Sequence, residues 1–403
     1  MRLWDGRSLG PADDEYRVVL RHPWSLRAAL VPPTDLTIGE AYLADDIDVE
    51  GSMVAALRDL AALRAVVSGT ERAGFVAELL RLPRPPEDRR RRARVRLHGR
   101  RHTRRRDASA VRHHYDQETD FYRCFLDPQL VYSCAYFTDE DRERPVTLPD
   151  ILARAQERKL ELICRKLNLQ PDEHFLDVGC GWGSLVMHAA KHHGVRAVGV
   201  TLSPPQAAVA RERVAGAGLG DRVSIEVRDY RHVAGTFDAI ASIGMVEHVG
   251  ADHLPTYAAT LHGLLAPGGR LLNHGITTGR RDEVRDMSMD RDTFIGRYVF
   301  PDGALVPAHH CVRVMEQAGF EIWDVEQLRP HYARTLAHWV ANLEAAADEA
   351  RGVAGERIFR TWRAYMAGSV VGFEWGNLGV VQILGTREAA RLPLGRDRLF
   401  IDR

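Results

Sequence analysis

From residue 148 onward the apolar positions switch repeatedly between two periods. In "LPDILARAQERKLELICRKL" (148–167) they recur every three to four residues, which predicts a helix. "HFLDVGC" (174–180) is a short apolar run that predicts a buried strand, and "SLVMHAAKHHG" (184–194) predicts a helix closed by Gly194. "RAVGVTL" (196–202) is again strand-like. The following "SPPQAAVARERVAGAG" (203–218) offers Ser203 as an N-cap with two prolines in the first turn, where a missing N–H costs nothing. "VSIEVRD", "FDAIASIG" and "GGRLLNHGI" predict further strands. Strands alternating with helices predict an α/β fold, a parallel sheet with helices on both faces. Ligands of such sheets sit at the carboxyl ends of the strands, so the residues just after each strand are the ones to inspect.

The amino-terminal part reads differently. Short apolar alternations, as in "YRVVLRHPWSLRAAL", give way to the helical "GSMVAALRDLAALRAVV", which predicts a small α/β or mostly helical domain over 1–88. "RLPRPPEDRRRR" (81–92) is rich in proline and charge and marks a boundary. A linker over 89–107 and a catalytic domain over 108–403 follow. The formal net charge of the chain is zero, yet residues 89–106 hold eleven arginines and no acid. Such a block repels itself and seeks anions: phospholipid headgroups, nucleic acid or acids elsewhere in the fold. Its bland reading is a solvated linker.

Composition narrows the class. With 45% hydrophobic residues the chain can build a core, but its longest apolar runs, such as "FDAIASIGMV" (237–246), fall short of the roughly 20 residues needed to span a bilayer. The start, "MRLWDGRSLGPADDEYR", carries acids and no apolar stretch, so it predicts a cytoplasmic protein. Five cysteines without CxxC or Cys/His ligand spacing predict free thiols, no disulfide framework and no metal site.

The chemistry starts at "LDVGCGWG" (176–183), a glycine-rich turn between a strand and a helix. Gly179, Gly181 and Gly183 allow close backbone approach to a ligand. Dinucleotide folds carry similar turns. Three features favour S-adenosylmethionine instead. Asp177 offers a carboxylate to the cationic amino end of a methionine moiety, where a pyrophosphate would be repelled. The glycine spacing lacks the full GxGxxG. The next strand ends in "VTLSPPQ" without the acid that grips a ribose in dinucleotide sites, leaving Thr201, Ser203 and Gln206 as neutral groups for that task. The strand after it ends at Asp229 and Tyr230, and a carboxylate there can accept from an adenine amino group. Read singly, each of these is a cap or turn residue.

With these residues placed, the chain resembles the cyclopropane-fatty-acyl-phospholipid synthase family, which includes the mycolic acid cyclopropane synthases. The likeness runs from Val111 to Gly385 through "HHYDQETDFYRCFLDPQLVYSCAYF", "LDVGCGWGSL", "GVTLSPPQ", "SIGMVEHVG", "LLNHGIT", "FPDGALVP" and "LRPHYARTLAHW". It implies a Rossmann-like class I methyltransferase sheet and methyl transfer from S-adenosylmethionine to unsaturated acyl chains of membrane phospholipids. It also implies a bicarbonate ion beside the methyl group, held by Cys134, Glu247, His274 with the nearby Ile276 main chain, and Tyr332. The cofactor contacts implied by similarity are Tyr115, Tyr132, Ser133, Gly179, Gly181, Thr201, Leu202, Ser203, Gln206, Asp229 and Tyr230. Read alone, Cys134 is a small buried hydrophobe, His274 a structural histidine, and His248, His309 and His310 structural or surface residues.

The chemistry of an alkene agrees with that assignment. A cis double bond is a feeble nucleophile and needs in-line positioning. The carbocation left after methyl transfer needs a dry apolar lining, for which Tyr298, Phe300, Tyr365, Phe373 and Trp375 are candidates. A base must then remove a proton from the new methyl to close a ring. A glutamate shares an anion's site only if one of them is protonated, so Glu247 is expected to have a raised pKa or to hold the bicarbonate proton. Gln117, Glu118 and Thr119 depart from the small and amide residues usual after "YD", and "GSVVGFEWGNLGVVQ" (368–382) departs from a more basic run. Four readings follow: cyclopropane formation, a methylene-branched product by loss of a different proton, a small-molecule N- or O-methyltransferase, and an RNA methyltransferase or nucleic-acid binder using the arginine block. The first is preferred. The expected partner is unsaturated phospholipid at the inner membrane surface, reached through Arg89–Arg106; a homodimer is left open and no nucleic acid is expected.

Overall fold

The computed structural model describes residues 1–10, 15–66, 69–86, 119–279, 287–288, 292–300, 303–388, 390 and 392–397. Tyr115, Gln117, Glu118 and the arginine block of 89–107 lie outside them.

The strands are β1 (Tyr16–Leu20), β2 (Ile47–Gly51), β3 (His174–Val178), β4 (Arg196–Thr201), β5 (Val223–Val227), β6 (Phe237–Ile243), β7 (Leu265–Thr278), β8 (Met287–Ser288), β9 (Ala304–Leu305), β10 (Glu321–Gln327) and β11 (Leu378–Thr386). A seven-stranded sheet in the order β10-β11-β7-β6-β3-β4-β5 forms the centre. β3 pairs in parallel with β4 on one side and β6 on the other, so the strand order reverses at β3 and opens a crevice at its carboxyl end. β3 is buried over Phe175–Val178, which explains its continuous apolar run.

The expectation of a parallel sheet needs one correction: β11 runs antiparallel to both β7 and β10. Between β10 and β11 the chain goes out along helix Arg329–Ala345, turns through Ala347–Ala354 and returns along Glu356–Glu374. Arg329 at the start of this excursion donates to the carbonyls of Phe373 and Glu374 at its end. The chain therefore re-enters the sheet at the end it left, and the next strand must run the other way.

Local signals act as the sequence predicts. Ser203 caps helix Pro204–Gly216 by accepting from the Gln206 amide, and Gly194 closes helix Ser184–His193 at φ 70°. Among the described residues the amino-terminal part forms the antiparallel β1–β2 pair and the helices Ser25–Leu30, Asp35–Leu43, Met53–Val66 and Gly69–Arg81. Tyr42, Met53 and Val54 join a core cluster with Phe121, Phe125, Trp339 and Phe359. Arg360 and Arg363, both buried, reach from helix Glu356–Glu374 to the carbonyls of Tyr42, Val49 and Gly51.

Candidate active site

At the carboxyl ends of the parallel strands a cleft is lined by Asp177, Gly179, Gly181, Thr201, Leu202 and Gln206, together with Asp229 and Tyr230. Tyr132 and Ser133, from the segment ahead of the sheet, complete its wall. Gly179 takes φ 85°, and a Cβ there would lie 2.8 Å from the Met245 sulfur, so this turn requires glycine. Gly183 and Ser203 are not among the lining residues. Gly183 instead lets helix Ser184–His193 approach Ala210, whose Cβ would stand 3.2 Å from an added Cβ, and Ser203 serves as the cap described above.

The floor of the cleft is charged. Asp177 is buried, and its Oδ1 has no hydrogen-bond partner. Burial pushes the carboxyl up to about 7, against the pull of nearby Lys159. Lys159 is itself buried and lowered to about 8 by that burial, with Asp127, Cys134 and Asp177 acting the other way. Its Nζ donates to Ser133 Oγ at 2.9 Å. One turn earlier Gln156 Nε2 donates to the carbonyls of Val131 and Ser133. One helix, Pro149–Lys166, thus holds the Tyr132–Ser133 segment in place. Asp229 is occupied: Arg231 donates to it through Nε at 2.8 Å and Nη2 at 2.6 Å. Burial would raise this carboxyl, but the Arg231 bonds outweigh it and hold it low. A carboxylate has lone pairs to spare, so it can still accept from a ligand amine.

A second, smaller cavity adjoins the first and shares Tyr132, Ser133, Gly244 and His248 with it. Cys134, Glu247, His274, Ile276 and Tyr332 all line this cavity, with Phe300 and Tyr365. They arrive from separate elements: Glu247 on the single turn Val246–Val249 after β6, His274 and Ile276 on β7, and Tyr332 on helix Arg329–Ala345. Cys134 lies in the segment fixed by Thr335 Oγ1, which accepts from the Ala135 amide at 3.0 Å.

Glu247 Oε1 accepts from the Ile276 amide at 2.6 Å, while Oε2 is buried without a partner. Burial drives this carboxyl up to about 7 despite the amide. His274 is driven down to about 3 by burial, with the positive charges of Lys159 and Lys166 adding to the effect, so its imidazole is neutral. The Gln382 side-chain amide lies 3.2 Å from His274 Nδ1 and fixes the orientation of the imidazole. The Cys134 thiol points at the carbonyls of Ala135 and Leu328, and burial pushes it well above its ordinary value. It is a neutral wall group and no nucleophile.

A family model described as mycolic acid cyclopropane synthetase matches residues 102–383. The chain belongs to this family. Among its relatives, a probable fatty acid methyltransferase of Pseudomonas putida is 36% identical over 408 residues, covering 99% of this chain and 95% of its own. The cyclopropane-fatty-acyl-phospholipid synthase of Escherichia coli strain K12 is 34% identical over 274 residues, covering 68% of this chain and 66% of its own. The solved mycolic acid cyclopropane synthase CmaA1, complexed with SAH and CTAB, shares 32% identity at a TM-score of 0.63 over 70% of this chain and 98% of its own.

As a member of this family the protein is an S-adenosylmethionine-dependent methyltransferase, and its cleft suits that cofactor. The orphaned Asp177 Oδ1 fits an ammonium group, and the glycine turn leaves room for a ligand backbone to pass. Lys159 and His248 are among the lining residues that the sequence reading does not pick out. Lys159 is hidden in a helical repeat where a lysine normally reads as solvated surface. His248 is set aside there as structural or surface, yet it stands at the junction of the two cavities, and burial lowers it to about 4. Of the aromatic candidates, Phe300 and Tyr365 line the inner cavity. Phe373 packs behind Tyr332 at 4.8 Å, Tyr298 bonds Glu40 and Trp375 is exposed, so these three are not lining residues.

Proposed function

We propose that this methyltransferase adds a methyl group to the cis double bond of an unsaturated fatty acyl chain carried by a phospholipid and closes the product to a cyclopropane. The observation that carries the reading is the junction of two unlike cavities. A donor cleft with a charged floor opens directly into a compartment whose titratable groups, Glu247 and His274, are held close to neutrality by burial.

When bound, S-adenosylmethionine supplies an electrophilic methyl on a sulfonium centre. Asp177 meets its ammonium, and Tyr132 and Ser133 stand between the cleft and the inner cavity, where the alkene would lie. Phe300, Tyr332 and Tyr365 keep water from the cation that forms on the acyl chain and face it with aromatic surface, worth roughly 0.5–2 kcal/mol per ring. Ring closure releases one proton from the added methyl. A bicarbonate ion would be held by the His274 imidazole, Tyr332 and Glu247, and would supply a small base. The Ile276 amide, expected to serve that anion, donates to Glu247 instead. A protonated Glu247 Oε2 fits the anion, whereas an ionised one would repel it.

The near-full-length relative is named a probable fatty acid methyltransferase, a name that states no ring, which keeps open a second reading in which the same cation loses a different proton and gives a methylene-branched chain. Incubation with methyl-labelled cofactor and unsaturated phospholipid vesicles, followed by NMR of the released acid, separates the two. Cyclopropyl proton signals are expected. Olefinic signals would select the second product, and no label in lipid would refute both.

A further inference from the structure

Behind the sheet crevice lies a cluster that neither cavity uses. Helix Pro149–Lys166 presents Glu161 and Cys164, three residues apart and therefore on one face, toward helix Ser184–His193. That second helix answers with His188 from its middle and His193 from its last turn. The Nε2 atoms of His188 and His193 lie 3.1 and 3.0 Å from the same carboxylate oxygen, Glu161 Oε2. Ligand atoms of Cys164, His188 and His193 all fall within 4.8 Å of one another. Cys164 is fully buried and His188 nearly so, while His193 and Glu161 are part-exposed, which leaves a way in for an ion.

We propose that Cys164, His188 and His193 form a binding site for a zinc-class divalent cation, with Glu161, hydrogen-bonded to both imidazoles, beside them. Two imidazole nitrogens and one thiolate are donors of the kind zinc takes, with bonds of about 2.0–2.3 Å, and the part-exposed Glu161 carboxylate would turn in as the fourth. Ligands of this softness favour zinc over calcium or magnesium, which want oxygen alone. Binding releases the Cys164 proton to solvent, and the two imidazoles enter as neutral donors. The pattern is hard to see as a sequence motif because its halves sit on consecutive helices with a strand between them, and its two histidines, His188 and His193, are five residues apart rather than at the familiar HxxxH spacing.

The site would be structural. Its first helix carries Lys159 and Gln156 to the donor cleft, and its second starts at the end of the glycine turn. A cation joining them fixes the two elements on which the cleft is hung.

The test uses the full chain, stripped with a chelator and titrated with cobalt(II), with zinc as competitor. The expected result is saturable binding of one cobalt per chain, a thiolate-to-cobalt charge-transfer band, displacement by zinc and a higher Tm on loading. Cys164→Ser should abolish the band. His193→Gln, at a part-exposed position, should weaken binding by more than the roughly tenfold that losing an outer-shell partner costs, and it keeps the test valid if the serine variant fails to fold. Absence of saturable cobalt binding in the parent, or unchanged binding in His193→Gln, would overturn the proposal and leave an ordinary hydrogen-bonded cluster.

Discussion

The donor cleft and the inner cavity each contain one buried carboxyl with an unpartnered oxygen, and each carboxyl is driven up to about 7. Their surroundings differ. Asp177 faces Lys159, a buried cation that favours its ionised form, and the cleft around it remains a place for charge. Glu247 has only main-chain amides, that of Ile276 first and its own second, to set against desolvation, and its neighbour His274 is neutral. Desolvation set against these unlike partners leaves both carboxyls with similar proton affinity; the partner decides what each is good for. A carboxyl beside an ammonium ligand will give up its proton, and one in an apolar chamber will keep it and donate.

Removing the inner carboxyl should break that comparison most strongly. Glu247→Gln is expected to lower kcat by about 10²–10⁴, the range of a lost proton-handling group, while the dissociation constant for S-adenosylmethionine, read by calorimetry, stays within a few-fold. Parallel losses in both would show that the two cavities do not divide the work.

Stability against pH gives the next largest effect. Both carboxyls have folded values raised above their ordinary ones, so the native state binds more protons than the unfolded chain between about pH 4 and 7. Their contribution is present below the unfolded pKa and lost as pH rises through 7, by at most about 4 kcal/mol for Asp177 and about 3 kcal/mol for Glu247. Glu247→Gln should therefore unfold at higher denaturant than the parent at pH 8, with the difference gone near pH 4. An unchanged difference across that range would deny the raised value.

Asp177→Asn should act on the other cavity. Loss of a charge-assisted hydrogen bond of about 1.5–3 kcal/mol predicts cofactor affinity weaker by tenfold or more, with kcat at saturation nearly kept; a fall in kcat alone would contradict the assignment. The smallest effect belongs to the boundary. Tyr365 bonds Tyr132, which lines both cavities. Tyr365→Phe removes about 1 kcal/mol and should cost several-fold in kcat, with a larger loss for long acyl chains than for cofactor binding.

Much of this architecture was legible in the chain because it is written in short-range terms. Buried strands such as "HFLDV" read as apolar runs, and the Ser203 cap and Gly194 terminator stand beside the helices they delimit. What the sequence reading missed depends on three-dimensional return. The reversal of β11 follows from a long helical excursion that ends where it began. Lys159 and His248 look like surface residues until helix Pro149–Lys166 and the Val246–Val249 turn are folded against the sheet. Cys164, His188 and His193 converge only when two helices pack side by side. The five residues around the inner cavity were found through a family resemblance, and no spacing rule links Cys134 to Tyr332.

The central claim is that Glu247 holds a proton near neutrality in a chamber adjoining the methyl donor. Difference infrared spectroscopy of the parent against Glu247→Gln, titrated across pH, follows that one carboxyl directly. A protonated-acid band that disappears with a midpoint close to 7 is the predicted result. A midpoint near the ordinary value of 4.5 would contradict it.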